Sequence, residues 1–143
     1  MQLPGLPLRF ERILRLSRTD GFNADGPIVR YEEYDKALGT MRCGVYLIVQ
    51  DGEVVYCGKF TNTFSKRWLY TKGEYVYHFK RGLISAALAD NRRLEVFAQS
   101  EENLRAQLGQ PGNGWISATS IEEKLIKKLR PVWNSLGRGK NED

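Results

Sequence analysis

Residues 43–67 read CGVYLIVQDGEVVYCGKFTNTFSKR, and the reading of this stretch decides the fold. Two runs rich in β-branched residues flank Asp51-Gly52, a dipeptide suited to the positive backbone angles of a tight hairpin turn. Each run carries a glycine and a tyrosine: Gly44-Val45-Tyr46 on the first, Tyr56-Cys57-Gly58 on the second. Turn length sets which way the phenols face. A two-residue loop pairs Tyr46 with Cys57 and sends the tyrosines to opposite faces. A three-residue loop, Gln50 to Gly52, pairs Tyr46 with Tyr56 and puts Val49 opposite Glu53. Gly52 is then the left-handed residue of a bulge turn, a conformation glycine adopts at no steric cost. In this second register, which we adopt, Tyr46, Ile48, Val54 and Tyr56 share one face. Val45, Leu47, Val49, Val55 and Cys57 share the other, which is aliphatic and reads as core.

Downstream, Thr61-Asn62-Thr63 supplies N-cap residues for a helix over 64–70. Phe64 and Trp68, four apart, pack inward, and Lys66 and Arg67 lie beside that stripe. A helix starting close behind Gly58-Lys59 is a ready anion site. Residues 71–81 mix aromatic and basic side chains, among them Lys72, His78, Lys80 and Arg81, as nucleic-acid surfaces do. A helix over 83–90, a third strand over 94–98 and a short helix over 101–108 follow. The loop 109–114 holds no packing residues and borders a ligand in many folds.

In the helix over 121–129, Ile121, Leu125, Ile126 and Leu129 form one stripe on a wheel of about 100° per residue. Glu122 falls inside that stripe, while Glu123 points away. An inward carboxylate is costly unless it is paired or binds a metal. The same spacing fits a capping box, with Thr119 as N-cap and Glu122 at the third helical position, and both readings stand. Pro131 ends the helix, Trp133 packs back on the core and Asn134 is placed to brace the site. Residues 135–143 form a flexible tail. Residues 1–42 read as an N-terminal extension: Leu8 to Leu16 fits neither the helical nor the strand period.

At 143 residues the chain is long enough for one hydrophobic core. Lys and Arg outnumber Asp and Glu by 22 to 17, a net charge of +5 that suits a polyanionic partner. No apolar run approaches the ~20 residues of a membrane span. Pro4 and Pro7 among leucines, followed by Arg9, Glu11 and Arg12, lack the form of a signal peptide. A cytoplasmic location without membrane attachment is expected. Cys43 and Cys57, with no partner pair at zinc spacing, read as buried free thiols.

The two tripeptides resemble those that name the GIY-YIG nucleases. The resemblance continues with Lys59 directly after the second motif, Arg67 on the next helix, Glu122 on a later one, and Asn134 in Pro131-Val132-Trp133-Asn134. It spans about residues 42–134 in the family's order. It implies an α/β (α+β) domain over 43–134, built on a three-stranded, mainly antiparallel sheet flanked by helices. It also implies an endonuclease that hydrolyses phosphodiesters of double-stranded DNA with one Mg²⁺ or Mn²⁺. In that reading Tyr46 is general base and Tyr56 positions water or phosphate. Lys59 and Arg67 neutralise the phosphoryl charge, Glu122 is the sole carboxylate ligand of the metal, and Gly58 and Asn134 support the site. Lys66, Lys72, Lys80 and Arg81 join Lys59 and Arg67 as DNA contacts.

The step from Tyr56 to Arg67 is one residue long for the family and implies a bulge before the helix. Family members carry a further His or Tyr after the Arg, a position that Tyr70 or His78 can fill. With no large targeting domain attached, a site-specific enzyme of restriction or phage type is expected. A structure-selective or nicking nuclease, or a catalytically silent nucleic-acid-binding module, are the alternatives. One site per domain makes a homodimer or higher oligomer the expected route to a double-strand cut.

Overall fold

The turn between the two tyrosine-bearing strands is the two-residue one. Asp51 and Gly52 have φ of 50° and 86°, the pair of positive angles whose twist matches that of the flanking strands. Gln50 therefore faces Glu53, and Val49 faces Val54 rather than Glu53. The next pair is Ile48 with Tyr56, so Val55 is an extra residue bulged out of the ladder. The bulge shifts the ladder by a second residue in the same direction as the shorter turn, so Tyr46 pairs with Gly58 and the two-residue offset returns each strand to its expected face parity. Tyr46 and Tyr56 thus share a face, as diagonal neighbours instead of direct partners. The price falls on the valines, which exchange sides: Val54 packs with the aliphatic face and Val55 with the tyrosines. The turn is held from outside, since the Asp51 carboxylate accepts from the Arg93 backbone N–H at 2.9 Å and from Arg92 at 3.2 Å.

The computed structural model describes residues 1–23, 26–69, 75–76, 78, 80–109 and 117–135. Tyr70, Lys72, most of the loop expected at 109–114 and nearly all of the expected tail lie outside them. The elements run β1 (Glu11–Asn23), β2 (Gly26–Tyr34), α1 (Lys36–Gly39), β3 (Arg42–Gln50), β4 (Glu53–Thr63) and α2 (Phe64–Trp68). They continue with β5 (Tyr75–Val76), α3 (Arg81–Ala89), β6 (Leu94–Ser100), α4 (Glu101–Leu108), α5 (Ala118–Leu129) and α6 (Val132–Ser135).

The sheet has six antiparallel strands in the order β4-β3-β6-β1-β2-β5, not three. The expected trio β3, β4 and β6 is one half of it. The other half comes mainly from β1 and β2, in the stretch whose apolar pattern fits no period. The reason is visible in the ladder. The register of β1 shifts between Arg12 and Leu14 against β6, and again between Arg15 and Leu16 against β2. Each shift breaks the two-residue alternation, so consecutive Ile13 and Leu14 enter the same core cluster. The two glutamates of β2 are accounted for by ion pairs across the sheet: Arg12 meets Glu33, and Glu95 of β6, both at 2.9 Å, and Arg15 meets Glu32 and Glu33.

The sheet buries both faces. On one, Tyr46, Ile48 and Tyr56 pack with Phe64 and Trp68 of α2 and with Ile84 and Leu88 of α3. On the other, Val45, Leu47, Val49 and Cys57 pack with Leu3, Leu8 and Phe10, Leu104 of α4, and Ile121 and Leu125 of α5. Among the described residues no helix is long and apolar enough to cross a membrane.

Candidate active site

Tyr46 is the centre of the tyrosine face and is wholly buried. Its partner across the ladder, Gly58, leaves room for the ring: a Cβ on Gly58 would lie 2.4 Å from both Cζ and Oη of Tyr46. The phenol therefore lies over β4, the edge strand of the sheet. Tyr56 lies beside it with ring centroids 6.0 Å apart, Trp68 meets it edge-on at 5.1 Å, and His78 at 5.6 Å. His78 in turn stacks on Trp68, with centroids 4.5 Å apart and planes 25° from parallel.

Three polar groups converge on this ring cluster. Nε2 of His78 is 2.6 Å from Oη of Tyr46, and a guanidinium nitrogen of Arg67 donates to the same oxygen at 3.4 Å. Arg67 also lies over the Tyr46 ring, and Nζ of Lys80 is 5.9 Å from the centre of the Tyr56 ring. Of the two residues open for the additional position, His78 is the one against Tyr46; Tyr70 lies outside the described residues. Burial pushes the Tyr46 phenol well above its usual range, opposed by the Arg67 charge. Burial first, and then the charges of Arg67, Lys80 and Arg81, push His78 well below its usual range. At neutral pH the pair is an uncharged phenol and an uncharged imidazole.

Arg67 arrives on time because β4 carries a second bulge. Between the pairs Gly44–Phe60 and Arg42–Thr63, two residues of β4 oppose Cys43 alone, which takes up the one-residue excess between Tyr56 and Arg67. Thr63 then caps α2, its hydroxyl accepting from the Lys66 N–H at 3.2 Å. Lys66 on that short helix is exposed, whereas Arg67 is half-buried.

Lys59 is not brought to the phenols. It is a strand residue opposite Val45, on the aliphatic face, well before α2 begins. Its Nζ donates to Thr119 Oγ1 of α5 at 2.9 Å. Thr119 is inside α5 and not its cap; Ser117 holds that position and accepts from Ser120 N–H at 3.1 Å. Glu122 is accordingly the fifth residue of the helix, beyond reach of a capping box, and the capping reading is overturned. Glu122 is half-buried while Glu123 is exposed, and its charge acts on both the Tyr46 hydroxyl and the Cys57 thiol.

Asn134 fixes that edge. Its Oδ1 accepts from the Cys57 N–H and its Nδ2 donates to the Cys57 carbonyl, both at 2.9 Å. The side chain substitutes for a neighbouring strand and sets the backbone between Tyr56 and Gly58. Asn134→Ala leaves two buried backbone groups unpaired, and we expect a loss of about 3 kcal/mol in urea unfolding, given ~1–3 kcal/mol for each. Gly58→Ala acts on the site directly, because the new methyl group occupies the space of the Tyr46 ring. A displacement on the order of 1 Å can cost about a hundredfold in rate. For a nuclease built on Tyr46 we expect that loss in single-turnover cleavage, accompanied by about 1–3 kcal/mol of lost stability from the overpacked ring.

Trp68 is the member of the cluster that sequence reasoning missed as a functional residue. Its spacing from Phe64 marked it only as core, and nothing in the sequence shows a histidine ten residues later folding back onto it. No protein-family model, no curated protein and no solved structure matches this chain.

Proposed function

We propose that the chain is a metal-dependent endonuclease that hydrolyses phosphodiesters of double-stranded DNA, as its resemblance to the GIY-YIG nucleases suggests. The observation that carries this reading is the convergence of Arg67 and His78 on the hydroxyl of Tyr46, within the electrostatic reach of Glu122. Hydrolysis needs a base for the attacking water and positive charge for the phosphoryl oxygens. Tyr46 is the base and Arg67 the phosphate clamp, while Tyr56 orients water or phosphate. Arg81 and the exposed Lys66 extend the positive surface along the backbone, while Lys80, buried beside the Tyr56 ring, adds its charge from within.

Among the described residues no three His, Cys, Asp or Glu side chains gather into a cage. A single carboxylate fits a Mg²⁺ or Mn²⁺ ion that keeps most of its shell as water and phosphate oxygens. Glu122 would hold it. When bound, the ion supplies Lewis-acid stabilisation of the phosphorane charge and of the leaving oxygen. Tyr46 is wholly buried, so the phosphate reaches it past Arg67, the half-buried group that contacts its hydroxyl. That burial favours a second reading, a nucleic-acid-binding domain in which the aromatic cluster is only core.

A supercoiled plasmid incubated with and without Mg²⁺ tests both. Discrete fragments in Mg²⁺ are expected of a site-specific enzyme acting as a dimer, and nicked circles alone indicate a nickase. Retarded but uncut plasmid under every divalent cation would leave the binding domain and end the nuclease reading.

A further inference from the structure

Two hydrogen bonds of the His78 ring together decide where its proton is. Its Nδ1 lies 3.0 Å from the backbone nitrogen of Lys80, which carries a hydrogen and can only donate. Nδ1 is therefore an acceptor and bears no proton. A neutral imidazole with a bare Nδ1 carries its hydrogen on Nε2, the nitrogen 2.6 Å from Tyr46 Oη. The bond between them runs from histidine to tyrosine. The stack on Trp68 fixes the plane of the ring, and turning it over within that plane would put carbon atoms against both the Lys80 amide and the tyrosine.

We propose that His78 is a fixed hydrogen-bond donor to Tyr46 and is never the base that removes its proton. This assignment rests on the reading of Tyr46 as the reacting phenol and sets how that phenol is regulated. Its oxygen accepts from two donors, the imidazole N–H and the Arg67 guanidinium at 3.4 Å. Both favour the phenolate over the phenol, because hydrogen bonds to the charged form stabilise it. His78 keeps its hydrogen throughout, so it neither gains nor loses a proton in turnover. The phenol gives its proton to solvent before the chemical step, and the phenolate then takes the proton of the attacking water, both on the side of Oη away from the imidazole. His78 acts through Tyr46 and is a positioning residue, with Trp68 behind it and the Lys80 amide setting its tautomer.

The chain contains one histidine, so its ring nitrogens can be assigned in the full-length ¹⁵N-labelled protein without mutants. Long-range ¹H–¹⁵N correlation at neutral pH should show Nδ1 with the shift of a bare nitrogen and Nε2 with that of an N–H. A hydrogen on Nδ1 would overturn the proposal, and this result does not depend on whether the protein cuts DNA. Cleavage gives the second arm. The amide nitrogen of Gln can occupy the place of Nε2 and donate, but Gln cannot act as a base. His78→Gln should stay within about tenfold of wild type while His78→Ala falls about a hundredfold, the usual cost of one lost donor to a developing anion. Equal inactivity of the two folded variants would overturn it. A wild-type protein that cuts no DNA would instead end the nuclease reading and leave the tautomer result standing.

Discussion

Tyr46→Phe should abolish cleavage while leaving the fold and DNA binding in place. The substitution removes one oxygen from a ring whose packing is otherwise unchanged. The edge contact with Trp68, the neighbouring Tyr56 ring and the space over Gly58 all accept phenylalanine. What is lost is the acceptor shared by His78 and Arg67. A positioned base contributes about 10²–10⁴ in rate, so single-turnover cleavage should fall by about a thousandfold or more. The His78 N–H is left buried without its acceptor, which lowers stability by about 1–3 kcal/mol. Tyr56→Phe is the control, since Oη of Tyr46 keeps both donors and the loss should be smaller. A Tyr46→Phe variant that cuts within tenfold of wild type would remove the phenol from the mechanism.

The depressed affinity of His78 for a proton has its own signature in stability. In the unfolded chain His78 titrates near 6.5, and in the fold it holds a proton only at much lower pH, chiefly because it is buried. The native state therefore binds fewer protons, so the stability it contributes is present above about pH 6.5 and is lost as pH falls below that value. The slope approaches ~1.4 kcal/mol per pH unit for one group. Urea unfolding of wild type and His78→Gln between neutral and mildly acid pH should diverge in that direction, with the wild type losing more.

How much of this was legible in the sequence varies with the physics that fixed each part. The hairpin was readable because Asp51-Gly52 and the valine runs are local signals. Its detailed register was not: a tight turn with a bulge and a wider turn without one place Tyr46 and Tyr56 on the same face. Only the ladder distinguishes them, through Val54 and Val55. The helix α4 was readable to the residue, and α5 to within its first turn. There Ser117 outcompetes Thr119 for the cap, and this moves Glu122 away from a capping role. The strands β1 and β2 were hidden, because two register shifts erase the alternation of β1, and because Glu32 and Glu33 look like solvated residues until Arg12 and Arg15 are placed opposite them. Lys59 was assigned to the phosphate by its position after the motif. Strand alternation around Gly58 turns it to the other face. The Tyr46–His78 contact spans 32 residues, and no local pattern encodes it.

Glu122→Gln is the change that separates a metal-dependent enzyme from a protein that only binds DNA. The carboxylate is on α5, whose Ile121 and Leu125 pack against the aliphatic face, and its charge is the smallest of the influences that raise the Tyr46 phenol, burial being the largest. A half-buried negative charge that acts on a buried phenol raises the cost of forming the phenolate, which works against a base. An ion held by Glu122 reverses that sign: it neutralises the carboxylate and adds positive charge beside the oxygen. The residue is therefore unfavourable to the chemistry without a divalent cation and favourable with one. Glu122→Gln preserves shape and helix packing but binds such an ion poorly, so Mg²⁺-supported cleavage should fall about a thousandfold or more, comparable to the loss of a principal electrostatic contributor. Affinity for a DNA duplex measured in Ca²⁺-free buffer should be unchanged or improved, because one negative charge near the phosphate has been removed. Glu123→Gln, exposed about 100° further around the helix, should leave cleavage within about twofold, as surface changes away from a site generally do. If the two variants cut equally well, Glu122 holds no catalytic metal and the nuclease reading loses its only carboxylate.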